Sequence, residues 1–370
     1  MSEKKTDLLE NLDLDKIRHE LLESRIKPLS SSSIINIEDL LISLKNCAFQ
    51  GRYLGEALDV LEEMVNKEDC VKVLTLSGAM VPAGMEQVVI EMIEYGLIDV
   101  IVTTGANVSH SLVNGFSPEQ QSHFIGTDKT DDHLLNELRI NRIYDVYLPE
   151  EEYQRAEKLL FPIIKEHLVS LGLFEGNSSK SPFIVRPSDL FELIGKKIPG
   201  NSFLKSAAMC KVPVFCGATS DSEFALNLTK YRKHNNLWMI LDEIGDIQKF
   251  ADIIKVHQYH GTIIVGGGVP RNWAQQIFPY LDQIKYSDTD LTNVEDYDFN
   301  GYTYSVRLHT ATEYDGSLSG CTIRESISWG KYKPQSKFAS VWGDATITLP
   351  LIVTGILQRF KRQGKLKKKI

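Results

Sequence analysis

The residues best suited to chemistry lie in the C-terminal third. Thr310-Ala311-Thr312-Glu313-Tyr314-Asp315-Gly316-Ser317-Leu318-Ser319-Gly320 precedes Glu325-Ser326-Ile327-Ser328-Trp329-Gly330-Lys331. A lysine held out of water loses its proton more easily and becomes a nucleophile towards imines and carbonyls. Trp329 can exclude water there, and Gly330 lets the backbone turn closely. Glu325 and Asp315 add carboxylates that can anchor an ammonium or relay protons. On spacing alone, the ordinary alternative is a surface lysine after an Asp-Gly-Ser turn.

A second constellation consists of four glycine-bearing loops. They are Ser77-Gly78-Ala79-Met80-Val81-Pro82-Ala83-Gly84, Thr103-Thr104-Gly105-Ala106-Asn107, Cys216-Gly217-Ala218-Thr219-Ser220-Asp221 and Gly266-Gly267-Gly268-Val269-Pro270. Each follows a short apolar run that reads as a strand. In open parallel sheets ligands bind beyond the carboxyl ends of the strands. Glycine there admits a phosphate to the backbone, and a helix N-terminus behind favours its charge. None of the four is a GxGxxG, so the usual dinucleotide fingerprint is missing.

These loops need a scaffold, and the apolar pattern supplies one. Residues 1–27 read as an exposed helix, and Pro28 with Ser30 to Ser33 as a break. Ile37 to Asn66 reads as one helical stretch. Val71–Leu76, Ile98–Thr104, Val212–Phe215, Leu237–Leu241, Thr262–Val265, Tyr302–Leu308 and Phe338–Trp342 read as buried strands, with helical spacing between them. Short, wholly apolar strands of this kind imply a parallel sheet. The expected fold is α/β: a doubly wound, mostly parallel, Rossmann-like sheet with an N-terminal helical segment. Residues 105–200 are expected to form a polar, helical insertion. The expected divisions are 1–33 as helical extension and linker, 34–360 as the catalytic domain and 361–370 as a basic tail.

Composition narrows the class. With 42% hydrophobic residues over 370 positions the chain can bury a sizeable core. No apolar run reaches a membrane span, and charges occupy the N-terminus where a secretory signal needs its apolar stretch. Five scattered cysteines show neither CxxC nor zinc spacing, which fits reduced thiols and a cytoplasmic location. The net charge is −8, yet Arg359 to Ile370 carries seven basic residues and no acid, leaving −15 on residues 1–358. An acidic body attracts cations and repels nucleic acid. The tail reads as a solvated, frayed end. His257 and His260 read as an exposed helix end, His309 as facing a neighbouring strand, and no metal site is expected.

The segments SGAMVPAGM (77–85), DVIVTTGAN (99–107), VGGGVP (265–270), HTATEYDGSLSG (309–320) and RESISWGK (324–331) resemble those of the deoxyhypusine synthase family. The resemblance runs over about residues 35–360 and is nearer to the deoxyhypusine-synthase-like group than to the eukaryotic enzymes. It implies NAD-dependent oxidation of spermidine and capture of the 4-aminobutyl group by Lys331 as an enzyme imine. Transfer to an acceptor amine follows, and the stored hydride reduces the new imine. The parent acceptor is a lysine of a small translation factor, while related enzymes use putrescine and make homospermidine. The resemblance places NAD contacts on Gly78, Ala79, Met80, Val81, Pro82, Thr104, Gly105, Ala106, Asp221, Gly267, Thr310, Ala311, Asp344 and Ala345. It places Glu325, Trp329, Gly316 and Ser317 in the amine site, with Asp315 beside them, and implies a homotetramer with shared sites.

Several positions depart from the parent pattern. Asn272 replaces a histidine beside the amine, and Leu318 an acid after Gly-Ser. Leu226 falls where another amine-binding aspartate is expected, with Glu223 three residues earlier. Ser109 and His110 replace a pair of glutamates; His110 reads as a loop residue near the substrate. A pocket poorer in acids leans towards a small diamine acceptor such as putrescine, with a protein lysine as the alternative. Two other classes remain. Thr104-Gly105-Ala106-Asn107 faintly resembles the nucleotide loop of sirtuin deacylases, though their zinc cysteines are missing. A protein that binds NAD or polyamine without turnover would also carry an altered pocket.

Overall fold

The computed structural model describes residues 13–119, 122–285 and 301–369. The strands of these residues, in chain order, are β1 (Cys70–Leu76), β2 (Val100–Thr103), β3 (Phe124–Ile125), β4 (Ile140–Ile143), β5 (Val146–Pro149), β6 (Phe183–Val185), β7 (Val214–Cys216), β8 (Met239–Leu241), β9 (Tyr259–Val265), β10 (Tyr302–His309) and β11 (Tyr332–Trp342). Six of them form the central sheet in the order β11-β10-β9-β1-β2-β7, every neighbouring pair parallel. Helices cover both faces, which is why the strands read as continuous apolar runs. Along β1, Leu74 and Leu76 join the core under the helices Phe49–Asn66, Glu86–Glu94 and Ala345–Arg362. Val71 and Val73 face the other way, into a core completed by Phe250, Ala274 and Phe278. This is the α/β architecture expected from the sequence.

Three expectations need correction. Leu237–Leu241 is not a strand of the central sheet: its residues Met239–Leu241 form β8, paired in parallel with β6 in a separate two-stranded sheet. Apolarity marked a strand but could not say which sheet receives it, and Ile240 is half exposed. Ile37–Asn66 is two helices, Ile37–Lys45 and Phe49–Asn66. The chain breaks where Asn46 caps the first and Phe49 takes a left-handed φ of 55°. Both halves pack on one core, so the apolar period continues across the break. The 105–200 segment is not only helical: β3, β5 and β4 make a small antiparallel sheet, with Tyr144 in the left-handed region at its tight turn.

The N-terminal helix Leu14–Leu21 buries none of its residues; the part of the expected helix in residues 1–12 lies outside the described residues. At the other end, the helix Ala345–Arg362 runs through the expected boundary at residue 360. The basic tail is docked rather than frayed. Lys368 pairs with Glu94 at 2.7 Å, at the end of the helix Glu86–Glu94, and Lys369 with Asp99 at 3.5 Å, just before β2. Among the described residues no helix is long and apolar enough to cross a membrane.

Two features of the sheet position the site. From β1 the chain moves to β2 and β7 on one side, then returns to β9, β10 and β11 on the other. The switch point therefore lies between β1 and β9, and a ligand crevice is expected at their carboxyl ends. The backbone of Lys331 lies at the opposite end. It immediately precedes Tyr332, which pairs with Tyr302 at the start of β10, and its carbonyl accepts Tyr302 N–H at 3.0 Å. Roughly 20 Å of strand separates that position from Leu308 near the carboxyl end.

Candidate active site

At the switch point the β1 and β9 loops are tied together. Ser77 N–H donates to the Val265 carbonyl at 3.1 Å, and Ser77 Oγ donates to the Gly267 carbonyl. Gly78 takes a φ of 68°, a conformation costly for any side chain, and a Cβ there would meet nothing within 4 Å. Gly268 behaves likewise, at a φ of 59°. These glycines therefore leave backbone facing an open crevice. The helix Gly105–Phe116 starts immediately beside it, with Thr104 as N-cap.

Asn107 organises this edge, and the sequence reading quoted it without assigning it a role. Its Oδ1 accepts Val81 N–H at 3.1 Å, while its Nδ2 donates to the Gly78 carbonyl at 3.1 Å. Thr104 Oγ1 donates to the same carbonyl at 2.9 Å. So Gly78, Ala79, Met80, Val81 and Pro82 form a turn pinned from β2. A Cβ on Gly105 would lie 2.8 Å from the Asp221 carbonyl, so Asp221 lies against Thr104-Gly105-Ala106. Thr310 and Ala311 follow β10 at the same edge. Asp344 follows β11 and caps the last helix, accepting Thr346 N–H at 2.8 Å and preceding Ala345. The fourteen positions expected to contact a nucleotide thus lie along one edge of the sheet. The crevice fits such a ligand: glycine backbone in front, a helix N-terminus behind.

The second constellation gathers around Lys331. Its Nζ donates to Asn272 Oδ1 at 3.0 Å and stands 5.6 Å from the centre of the Trp329 ring. Asn272 reaches it from the helix Gly268–Gln275. Burial lowers the Lys331 pKa, and the nearby Arg271 guanidinium lowers it further, while Cys321 and Glu325 oppose them. Glu325 lies in the short helix Ile323–Ile327, its backbone N–H held by Thr322 Oγ1. Asp315 closes a turn by accepting Ser317 N–H at 2.9 Å, which sets Gly316 and Ser317 in an exposed loop. One expectation fails here: Trp329 is 60% exposed, so within one chain it does not seal the lysine from water.

Sequence reasoning missed the two arginines beneath this loop. Arg271 and Arg307 are both buried, and both donate to the Cys321 carbonyl, at 2.8 and 2.7 Å. Arg307 also donates to the Ser319 carbonyl. Neither has a carboxylate partner among the described residues. Burial, reinforced by Arg271, lowers the Arg307 pKa to about 10. The available signal was a charged residue inside the apolar strand β10.

His110 is not on a loop. It lies within the helix Gly105–Phe116, is buried, and meets His123 at 2.9 Å. The helix begins directly after the Thr104 cap, and a polar sequence hid it. Glu223 starts the helix Glu223–Asn235 and pairs with Lys230 at 3.3 Å. Phe224 N–H donates to Ser109 Oγ at 3.1 Å, which brings Glu223 to the His110 helix. Leu226 and Leu318 are exposed. His260 is buried in β9, not at an exposed helix end, whereas His309 does meet its neighbouring strand, at Ser340 Oγ 3.1 Å away. Among the described residues no three metal-ligating side chains come together.

The family model described as deoxyhypusine synthase matches residues 39–356. The chain belongs to the deoxyhypusine synthase family. It is 37% identical to "Probable deoxyhypusine synthase 1" of Archaeoglobus fulgidus, over 88% of this chain and 95% of that one. It is 31% identical to the "Deoxyhypusine synthase-like protein" of Chlorobaculum tepidum, over 86% of this chain and 85% of that one. A crystal structure from Entamoeba histolytica, assigned as a deoxyhypusine synthase, aligns with a TM-score of 0.56 over 89% of this chain and 96% of that one. At 19% identity that likeness speaks for the fold alone. The family is one of transferases, and both constellations lie inside the matched region.

Proposed function

We propose that the chain is an NAD-dependent transferase that moves a 4-aminobutyl group from spermidine, through an imine on Lys331, to an acceptor amine. The observation that carries the reading is the Lys331 environment: a part-buried amine whose pKa is lowered and whose Nζ is aimed by Asn272. A lysine must be neutral to attack an imine carbon, so both effects favour attack. Asn272 Oδ1 accepts one N–H and leaves the lone pair free to point elsewhere.

Gly78 to Pro82, Thr104 to Ala106, Asp221, Gly267, Thr310, Ala311, Asp344 and Ala345 would hold NAD in the switch-point crevice. When bound, NAD supplies the acceptor and later the donor of the hydride. Glu325 and Asp315 would hold substrate ammonium groups near Lys331, with Gly316, Ser317 and Trp329 forming the wall. Glu223 and His110 would face the amine from the cofactor side.

The exposure of Trp329 beside Lys331 supports a site shared between subunits. The Lys331 backbone sits at the start of β11, while its Nζ reaches Asn272 on the helix that begins at the Gly268 loop. A second copy, in a homotetramer, would cover this face and add its own loops to the site. Exposed Tyr314, Leu318, Trp329 and Trp342 fit burial at such a contact. Leu226 and Leu318, in place of acids, favour an amine of low charge, so putrescine is preferred to a protein lysine as acceptor. The test offers NAD and spermidine with putrescine or with the precursor translation factor in separate assays. Homospermidine as the main product supports the preference; efficient labelling of the protein alone overturns it.

A further inference from the structure

A buried polar chain runs from Glu86 to His110, and its hydrogen-bond directions are forced. Glu86 opens the helix Glu86–Glu94 and is buried on an otherwise apolar face. Its Oε1 accepts Ser111 Oγ–H at 2.6 Å and Phe203 N–H at 3.0 Å, and its Oε2 accepts Asn114 Nδ2–H at 2.7 Å. Asn107, Ser111 and Asn114 share one side of the Gly105–Phe116 helix, so this network adjoins the cofactor loop. Asn114 Oδ1 accepts Ser122 N–H at 3.3 Å. A backbone N–H can only donate, so the amide orientation of Asn114 is fixed at both ends.

The same Oδ1 lies 3.0 Å from His123 Nδ1. A carbonyl oxygen accepts, so His123 Nδ1 carries a proton. In a neutral ring the other nitrogen then accepts, and His123 Nε2 lies 2.9 Å from His110 Nδ1. His110 Nδ1 therefore carries its proton as well. Burial keeps both rings neutral, lowering His110 to about 3 and His123 to about 4. His110 Nε2 has no hydrogen-bond partner among the described residues.

We propose that Glu86, acting through Asn114 and His123, locks His110 as the Nδ1–H tautomer, so that its Nε2 lone pair is a fixed acceptor for an N–H of the substrate amine. The proposal rests on the amine-site reading above and gives it a direction. His110 lies against the Tyr153 ring, 5.8 Å between centroids, with the start of the Glu223 helix held at its neighbour Ser109. A neutral acceptor orients an ammonium without adding charge. It is too weak a base to remove the proton, so His110 positions the amine while Glu223 supplies the charge.

The test uses the full chain with ring-¹⁵N histidine at neutral pH and 1,4-diaminobutane as probe, the His110→Gln variant identifying the signals. The expected spectrum shows His110 protonated at Nδ1, with an Nε2 resonance that moves when diaminobutane is added. Glu86→Gln supplies the sharper arm. Phe203 N–H must still meet an oxygen, so the new amide NH₂ faces Asn114 and turns its amide round, giving up the longer bond from Ser122 N–H at 3.3 Å. Both histidine tautomers then reverse, and His110 Nε2 becomes a donor. The KM for the amine should rise at least about tenfold, more than kcat changes. An Nε2–H tautomer in the unaltered chain, an Nε2 resonance that ignores diaminobutane, or an unreversed tautomer in folded Glu86→Gln would overturn the proposal. Should Glu86→Gln not fold, the unaltered chain's spectra decide alone. Absent transfer with the expected spectra would sink the transferase reading and leave this one standing.

Discussion

Asn107→Ala should loosen the cofactor loop and leave the lysine half of the site intact. The side chain is fully buried and holds both ends of the Gly78–Val81 turn. After truncation the Gly78 carbonyl keeps its bond from Thr104, whereas Val81 N–H loses the Asn107 acceptor. One orphaned donor costs about 1–3 kcal/mol, and the small cavity adds to it, so about 2–4 kcal/mol is expected. For a chain of this length the unfolding entropy converts that into a Tm lower by roughly 3–5 °C. NAD affinity should fall by about tenfold or more, because the turn loses its pinned shape. Calorimetry reads both quantities. Lys331 should stay equally reactive towards a small aldehyde, since its own partners, Asn272 and Arg271, lie on another helix. Unchanged Tm and unchanged NAD affinity would refute the role given to Asn107.

Four further outcomes follow. Lys331 must be neutral to react and its pKa is lowered, so transfer should increase as pH rises through that lowered value; Asn272→Asp should move this limb to higher pH in a kcat profile. Arg359, buried among Glu38, Asp59 and Glu62, should cost about 3–5 kcal/mol when replaced by Met, read by denaturant unfolding. Hydrogen bonds from Arg362 and then Arg359 depress the Glu38 pKa. The stability it contributes should therefore be present above the ordinary carboxylate range and be lost as pH falls through its folded value. Light scattering should report a tetramer, and a stable, active monomer would contradict the shared site.

Much of the scaffold was legible because its strands are buried on both faces. VKVLTL and TIIV have no polar side to disguise them, and the glycine loops follow each strand end. Sheet membership was less legible: LWMIL has the same texture, yet only three of its residues pair, in a separate small sheet. The helix carrying His110 was hidden because its buried face is polar: Asn107, Ser111 and Asn114 meet partners that arrive from residues 76–86 and 202. Glu86 had a faint signal, a carboxylate three, four and seven residues before Val89, Ile90 and Ile93. Arg271 resembled an ordinary surface cation, and only the fold reveals that loop carbonyls receive it. The motif SWGK identified Lys331, but not that its amine meets Asn272 on the helix after β9. That meeting arises from the long-range pairing of β9, β10 and β11, which no local spacing encodes.

The central claim is that Lys331 carries the aminobutyl group. The direct measurement incubates the chain with NAD and labelled spermidine, quenches with borohydride, and maps the label by peptide mass spectrometry. The account predicts label reduced onto Lys331, dependent on NAD and absent from Lys331→Ala, whose fold and NAD binding persist. Product formed at an undiminished rate by Lys331→Ala, or label trapped on a different lysine, would contradict it.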